Sequence, residues 1–166
     1  MAAVMAETYP DLYTAVGIHS GLPYGAASDV VSAFAAMRGE TPASAPNLRH
    51  NPSPASRIRT IVFHGSADQT VSPANARRIA EGAGRRFADG TLHTETGSSD
   101  AGRTYTRTII RDGDGTAAAE FWIIDGAGHA WSGGHPDGSF TDPRGPDSTA
   151  EMVRFFLEPE RTAPEA

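Results

Sequence analysis

Apolar residues along this chain fall into short runs and helical stripes separated by turns bearing Gly and Pro, a pattern that predicts alternating strands and helices. Met1 to Thr8, rich in Ala and Met, reads as a helix ended by Tyr9-Pro10-Asp11, with no capping residue before it. Thr14 to His19 is an apolar run stopped by Ser20-Gly21 and reads as a strand. From Asp29 to Arg38, Val30, Val31, Phe34 and Met37 fall at helical spacing, and Gly39 suits the C′ position. Thr41 to Pro54, carrying Pro42, Pro46, Pro52 and Pro54, reads as an irregular loop.

Arg59 to Phe63 is the next predicted strand, with Thr60 to Phe63 buried. Ser72-Pro73 opens a helix as N-cap and N1, and Gly82 or Gly84 is expected to close it. Gly97 to Gly102 reads as a polar loop. Thr104 to Arg111 and Ala117 to Ile124 are strand-like, joined by a hairpin signal at Asp112-Gly113-Asp114-Gly115. A Gly- and Pro-rich loop spans Gly126 to Pro146, and Ser148-Thr149-Ala150-Glu151 reads as a capping box opening a last helix to about Leu157. The fold expected is α/β: a sheet with flanking helices and one antiparallel hairpin near the carboxyl end. Residues 1–158 are expected to form one domain and 159–166 a polar, frayed tail.

Composition narrows the function classes. At 166 residues the chain is long enough for one domain that buries roughly 70% of its unfolded surface. The net charge is −6, and all 14 basic residues are arginine, which reads as a coding bias. An acidic balance with scattered arginines argues against nucleic acid as a partner. With no cysteine there are no disulfides, thiol nucleophiles or thiolate metal sites. No stretch approaches the length of a membrane span, and Met1 to Met5 lacks the features of a signal peptide.

Two residues carry candidate chemistry. Asp68, in Gly65-Ser66-Ala67-Asp68-Gln69-Thr70-Val71, and His129, in Gly126-Ala127-Gly128-His129-Ala130-Trp131, each follow a predicted strand. An acid and then a histidine on strand-end loops is the later part of the order Ser…Asp…His used by α/β-hydrolases. Taken singly, Asp68 also reads as a turn residue and His129 as a loop histidine. Asp125 competes for the acid role, although its position at a strand end suits a structural one. No Gly-x-Ser-x-Gly elbow occurs. Ser20 is misplaced by one position relative to such an elbow, lacks a helix close behind it, and is expected to make local hydrogen bonds instead. His129 and His135 lack the carboxylate pattern of a metal site, and Asp112 to Gly115 lacks the remaining ligands of a calcium loop.

The segments Tyr9-Pro10-Asp11, His19-Ser20-Gly21-Leu22-Pro23-Tyr24-Gly25, His64-Gly65-Ser66-Ala67-Asp68, Gly126 to Gly134 and Gly138 to Asp147 together resemble the polyhydroxybutyrate depolymerase-like esterases. These belong to the α/β-hydrolases, in the branch that includes feruloyl and acetylxylan esterases. The resemblance implies a carboxylic ester hydrolase of a secreted parent, with Asp68 as triad acid, His129 as general base and no cofactor. It also implies that the serine elbow lies before the helix at Met1–Thr8, so the chain is expected to be the carboxyl-terminal portion of such an enzyme. Leu22 and Tyr24 are expected to line the substrate pocket; Trp131 is either a pocket wall or a packed aromatic rim. The strand Thr14–His19 would then be an unpaired apolar edge, prone to dimerisation or aggregation. The rival expectation is a non-catalytic or partner-dependent binding module that retains the loop surface.

Overall fold

A computed structural model describes residues 1–40, 58–87 and 89–157. The predicted loop from Thr41 to Pro54 and the tail at 159–166 lie outside the described residues. Four helices, α1 (Ala2–Thr8), α2 (Val30–Met37), α3 (Ala74–Arg86) and α4 (Ser148–Leu157), flank a sheet of five strands. The strands are β1 (Ala15–His19), β2 (Arg59–Gly65), β3 (Thr91–Ser98), β4 (Thr104–Arg111) and β5 (Ala117–Ile124), in spatial order β1-β2-β5-β4-β3. The pairs β1–β2 and β2–β5 are parallel, whereas β5–β4 and β4–β3 are antiparallel. The class is α/β, with a mixed sheet.

The period of two along the strands sorts side chains into two cores. Val62 and Phe121 face one side with Ile18 and Ile110, where Ile79, Ala83 and Phe87 of the α3 segment cover them and α1 adds Ala2 and Ala3. Ile61, Phe63, Trp122 and Ile124 face the other side, where Met152 and Phe155 of α4 pack. Glu120, fully buried on β5, accepts from Arg107 (2.8 Å), Arg154 (2.7 Å) and the Trp122 indole (3.2 Å), which satisfies its buried oxygens. That network ties α4 and β4 to the central strand.

Several elements differ from expectation. Thr91–Ser98 is a strand paired residue for residue with β4, so the sheet ends in a three-stranded antiparallel meander and not one hairpin. Its segment carries one large apolar residue, the exposed Leu92, and so lacks the alternation that announces a strand. Helix α3 passes Gly82 and Gly84 to reach Arg86, because burial of Ile79, Ala83 and Phe87 outweighs the ~1 kcal/mol that each glycine costs. It starts at Ala74, one residue later than read, with the Ser72 hydroxyl 3.3 Å from the Ala74 amide. At α4 the expected capping box is absent: the Asp147 carboxylate accepts from the Ala150 amide at 3.0 Å, the Ser148 hydroxyl is engaged elsewhere, and Glu151 pairs with Arg154.

Helix α2 starts at an Asp29–Ser32 capping box and ends with Gly39 at φ +80°, its amide bonded to Ala36 and that of Glu40 to Ala35. Its carboxyl end is pinned to α3, with Asn75 donating to the Ala36 carbonyl and Arg78 to that of Gly39. Its apolar stripe does not enter a core: Val30, Val31 and Phe34 are 71%, 80% and 57% exposed. The parallel strands β1, β2 and β5 run the same way, so His19, Gly65 and Ile124 end on one rim of the sheet. Open α/β sheets bind their ligands at that rim.

Candidate active site

The turn after β2 is built around one carboxylate. Asp68 Oδ1 accepts from the amides of Thr70 and Val71, both at 2.9 Å, as Asp does when it closes a turn on its own backbone. Its Oδ2 lies 2.8 Å from His129 Nδ1. Burial alone would push this carboxyl's pKa up, but the bonds from Val71, His129 and Thr70 outweigh it and hold the group below the ordinary aspartate range. Asp68 is therefore an anion enclosed by donors. A carboxylate can only accept, so His129 carries its proton on Nδ1, which leaves Nε2 as the basic nitrogen. The His129 side chain is 40% exposed while that of Asp68 is wholly buried.

His129 sits on the loop after β5, and backbone contacts press that loop against the Asp68 turn. Gly126 takes φ +65°, with its amide on the Ser66 hydroxyl at 2.8 Å. Gly128 is not in the left-handed region. The Ala67 amide donates to the Ala127 carbonyl at 3.0 Å. Gly65 permits this approach: a β-carbon there would run into the Ala127 carbonyl and stand 2.7 Å from the Gly128 oxygen.

Beyond His129 the chain forms β6 (Trp131–Ser132), paired with β7 (Thr141–Asp142), inside the segment read as a Gly- and Pro-rich loop. Ser132 donates through its hydroxyl to the Pro146 carbonyl at 2.7 Å and accepts at its own carbonyl from the Ser148 hydroxyl at 2.7 Å. Arg103 and Asp142 form an ion pair at 2.6 Å under the same loop. Trp131 is partly exposed, and its indole donates to the Thr149 hydroxyl at 3.0 Å.

Two further histidines reach the rim. His64, the penultimate residue of β2, is fully buried, with Nε2 at 2.8 Å from the Val71 carbonyl and 3.5 Å from Asp68 Oδ2. Because a carbonyl only accepts, Nε2 bears the proton; Nδ1 has no partner among the described residues. Burial pushes its pKa down, the Val71 carbonyl and Asp68 opposing this and His129 adding to it, so the ring is held neutral. His19 ends β1 with its ring between Phe63 (5.9 Å) and Trp131 (4.7 Å). Sequence reasoning gave no role to either ring; a histidine at the carboxyl end of each of two predicted strands was the available signal.

Leu22 and Tyr24 lie half-buried on the loop leaving β1, and it is His19 that links the end of this strand to the His129 loop. Asp125 accepts from the Thr104 hydroxyl at 2.8 Å and does not reach His129. Ser20 departs from expectation: it takes φ 47°, is buried, and its hydroxyl has no partner among the described residues.

A family model described as esterase PHB depolymerase matches residues 1–108. The chain is also 31% identical over 141 residues to the poly(3-hydroxyalkanoate) depolymerase C of Paucimonas lemoignei. That alignment covers 78% of this chain and 32% of the relative, so the chain spans about a third of the relative's length. The match takes in the first three strands of the sheet, the start of β4 and the Asp68 turn, and the chain belongs to the esterase PHB depolymerase family.

Proposed function

We propose that Asp68 and His129 are the acid and base of a Ser–His–Asp triad in a carboxylic ester hydrolase, the attacking serine being supplied from outside these 166 residues. The reading rests on one observation above all: the 2.8 Å bond that fixes the His129 tautomer with Nε2 free. In the reaction, His129 Nε2 takes the proton of the serine hydroxyl as its oxygen attacks the ester carbonyl. The resulting imidazolium then gives this proton to the departing alcohol, leaving an acyl-serine. Water attacks the acyl-serine by the same relay, releasing the acid and restoring serine. Asp68 stabilises the imidazolium in both halves without being protonated itself.

The substrates in this reading are short acyl, feruloyl or hydroxyalkanoate esters, with Leu22, Tyr24 and Trp131 lining the acyl side. The name of the Paucimonas relative favours hydroxyalkanoates among them, and by the family resemblance alone the parent would act outside the cell. A fluorophosphonate probe tests where the nucleophile lies. The chain alone should not be labelled. Mixed with a polypeptide that carries the Gly-x-Ser-x-Gly elbow, the label should appear on that partner's serine. Labelling of a serine within this chain would overturn the proposal, and no labelling in the mixture would favour a non-catalytic binding module. By itself the chain should self-associate through the side of β1 that has no strand partner among the described residues and through the exposed Val30, Val31 and Phe34. Size-exclusion chromatography with dye binding checks this, and a monomer with low dye binding would contradict it.

A further inference from the structure

His129 reaches Asp68 through one hydrogen bond from an exposed loop, so its position depends on whatever holds the residues next to it. Two residues farther on, Trp131 stacks on the His19 ring at 4.7 Å and 22°. One residue later the Ser132 amide donates to His19 Nε2 at 2.9 Å. On its other face the His19 ring stacks on Phe63 of β2 at 5.9 Å and 9°. The last residue of β1 therefore clamps the His129 loop by a ring face and by an acceptor atom.

We infer that His19 is a positioning residue for His129: its unprotonated Nε2 receives the Ser132 amide while its ring stacks between Trp131 and Phe63, and the pair of contacts fixes the loop over Asp68. The inference rests on the triad reading for its catalytic consequence, and on geometry alone for its structural one.

Histidine suits both contacts at once. A phenyl ring would fill the sandwich but offer no acceptor, leaving the Ser132 amide without one. An aliphatic amide would offer an acceptor but no flat ring. Because Nε2 faces an N–H, it cannot carry a proton; Nδ1 must, as the neutral ring requires. Neutrality has its own physical basis. Burial pushes the His19 pKa down to about 4, with His64 and His129 adding to the effect and Asp68 opposing it. The titratable groups facing this ring are those three: His64 on β2, Asp68 on the turn after it, and His129 on the loop after β5. A cation at His19 would break the Ser132 contact. It would also repel the imidazolium that His129 becomes during turnover.

Imidazole nitrogen NMR on the native chain, together with His19→Phe and His19→Gln, tests this. In the native protein at pH 7, His19 should show a bare Nε2 and a protonated Nδ1. In His19→Phe the Ser132 amide should exchange at least ~10-fold faster with solvent and the His129 Nδ1–H signal should broaden, with His19→Gln recovering part of the Ser132 protection. In the esterase assembled with its nucleophile-bearing partner, His19→Phe should lower kcat and leave KM near its native value. A protonated Nε2 in the native ring would overturn the inference, and this measurement stands even if His19→Phe does not fold. Ser132 exchange unchanged in a folded His19→Phe would overturn it too. A His129→Ala enzyme that keeps its activity, beside a released Ser132 amide in His19→Phe, would sink the triad reading and leave the clamp standing.

Discussion

The two loops that meet at this rim are built on opposite plans. The Asp68 turn is self-contained: its carboxylate binds amides two and three residues ahead, and His64 four residues back seals it against the Val71 carbonyl. The His129 loop is held at longer range: β6 pairs with β7 ten residues on, and Ser132 bonds the Pro146 carbonyl. From outside the loop, His19, Ser148 and Arg103 add to this, Arg103 through its ion pair with Asp142. In the proposed triad the contrast has a reason: a buried acid can be fixed locally, because its task would be to stay charged and still. A base that must change protonation state beside substrate would be left partly exposed and steadied from a distance.

Removing the charge of the rigid loop should have the largest effect. Asp68→Asn keeps the shape but offers a donor where His129 needs an acceptor, so the imidazole settles in the wrong tautomer. In the assembled esterase kcat should fall ~10⁴-fold with the fold retained, measured by ester hydrolysis and circular dichroism. Gly65→Ala attacks the seam between the loops. Its β-carbon would push the Ala127–Gly128 backbone away. A displacement near 1 Å costs about 10²-fold in rate, and the His129 Nδ1–H signal should disappear with it.

Acid should separate the loops without mutation. His19 has a folded pKa of about 4, below its 6.5 when unfolded, so the unfolded chain binds the extra proton between these values. Its contribution is complete above pH 6.5 and is lost as pH falls toward 4, of order 3 kcal/mol at most. His64 shifts the same way, and the lowered Asp68 pKa adds a loss below 3.8, the ordinary value for that carboxyl. Urea melts at pH 7 and pH 4.5 should show the fall, and a flat profile would contradict it. Ser148→Ala should have the smallest effect. It removes the hydroxyl donated to Ser132, costs ~1 kcal/mol, and should speed exchange in the His129 loop while sparing the Asp68 turn.

The same contrast explains what could be read from the sequence. The strands β1, β2, β4 and β5 and helix α2 announce themselves by apolar patterning and local caps, and the Asp68 turn is written within seven residues. Strand β3 exists because β4 pairs with it, and the length of α3 because Ala83 and Phe87 are buried; neither cause is local. Ser148 looked like a cap because its sequence neighbours suit one, yet Ser132 claims its hydroxyl. Asp68 and His129 stood out as residues. That His19, 113 positions from Ser132, holds the second loop is a property of the sheet order, which brings the ends of β1, β2 and β5 together.

The most direct measurement is the rate of hydrolysis of a 3-hydroxyalkanoate ester by this chain mixed with a polypeptide that carries the Gly-x-Ser-x-Gly elbow, native against His129→Ala. Loss of the base should lower kcat by ~10⁴-fold or more while substrate binding is retained. A His129→Ala enzyme that hydrolyses the ester at the native rate would show that the pair at this rim is structural and that the base lies elsewhere.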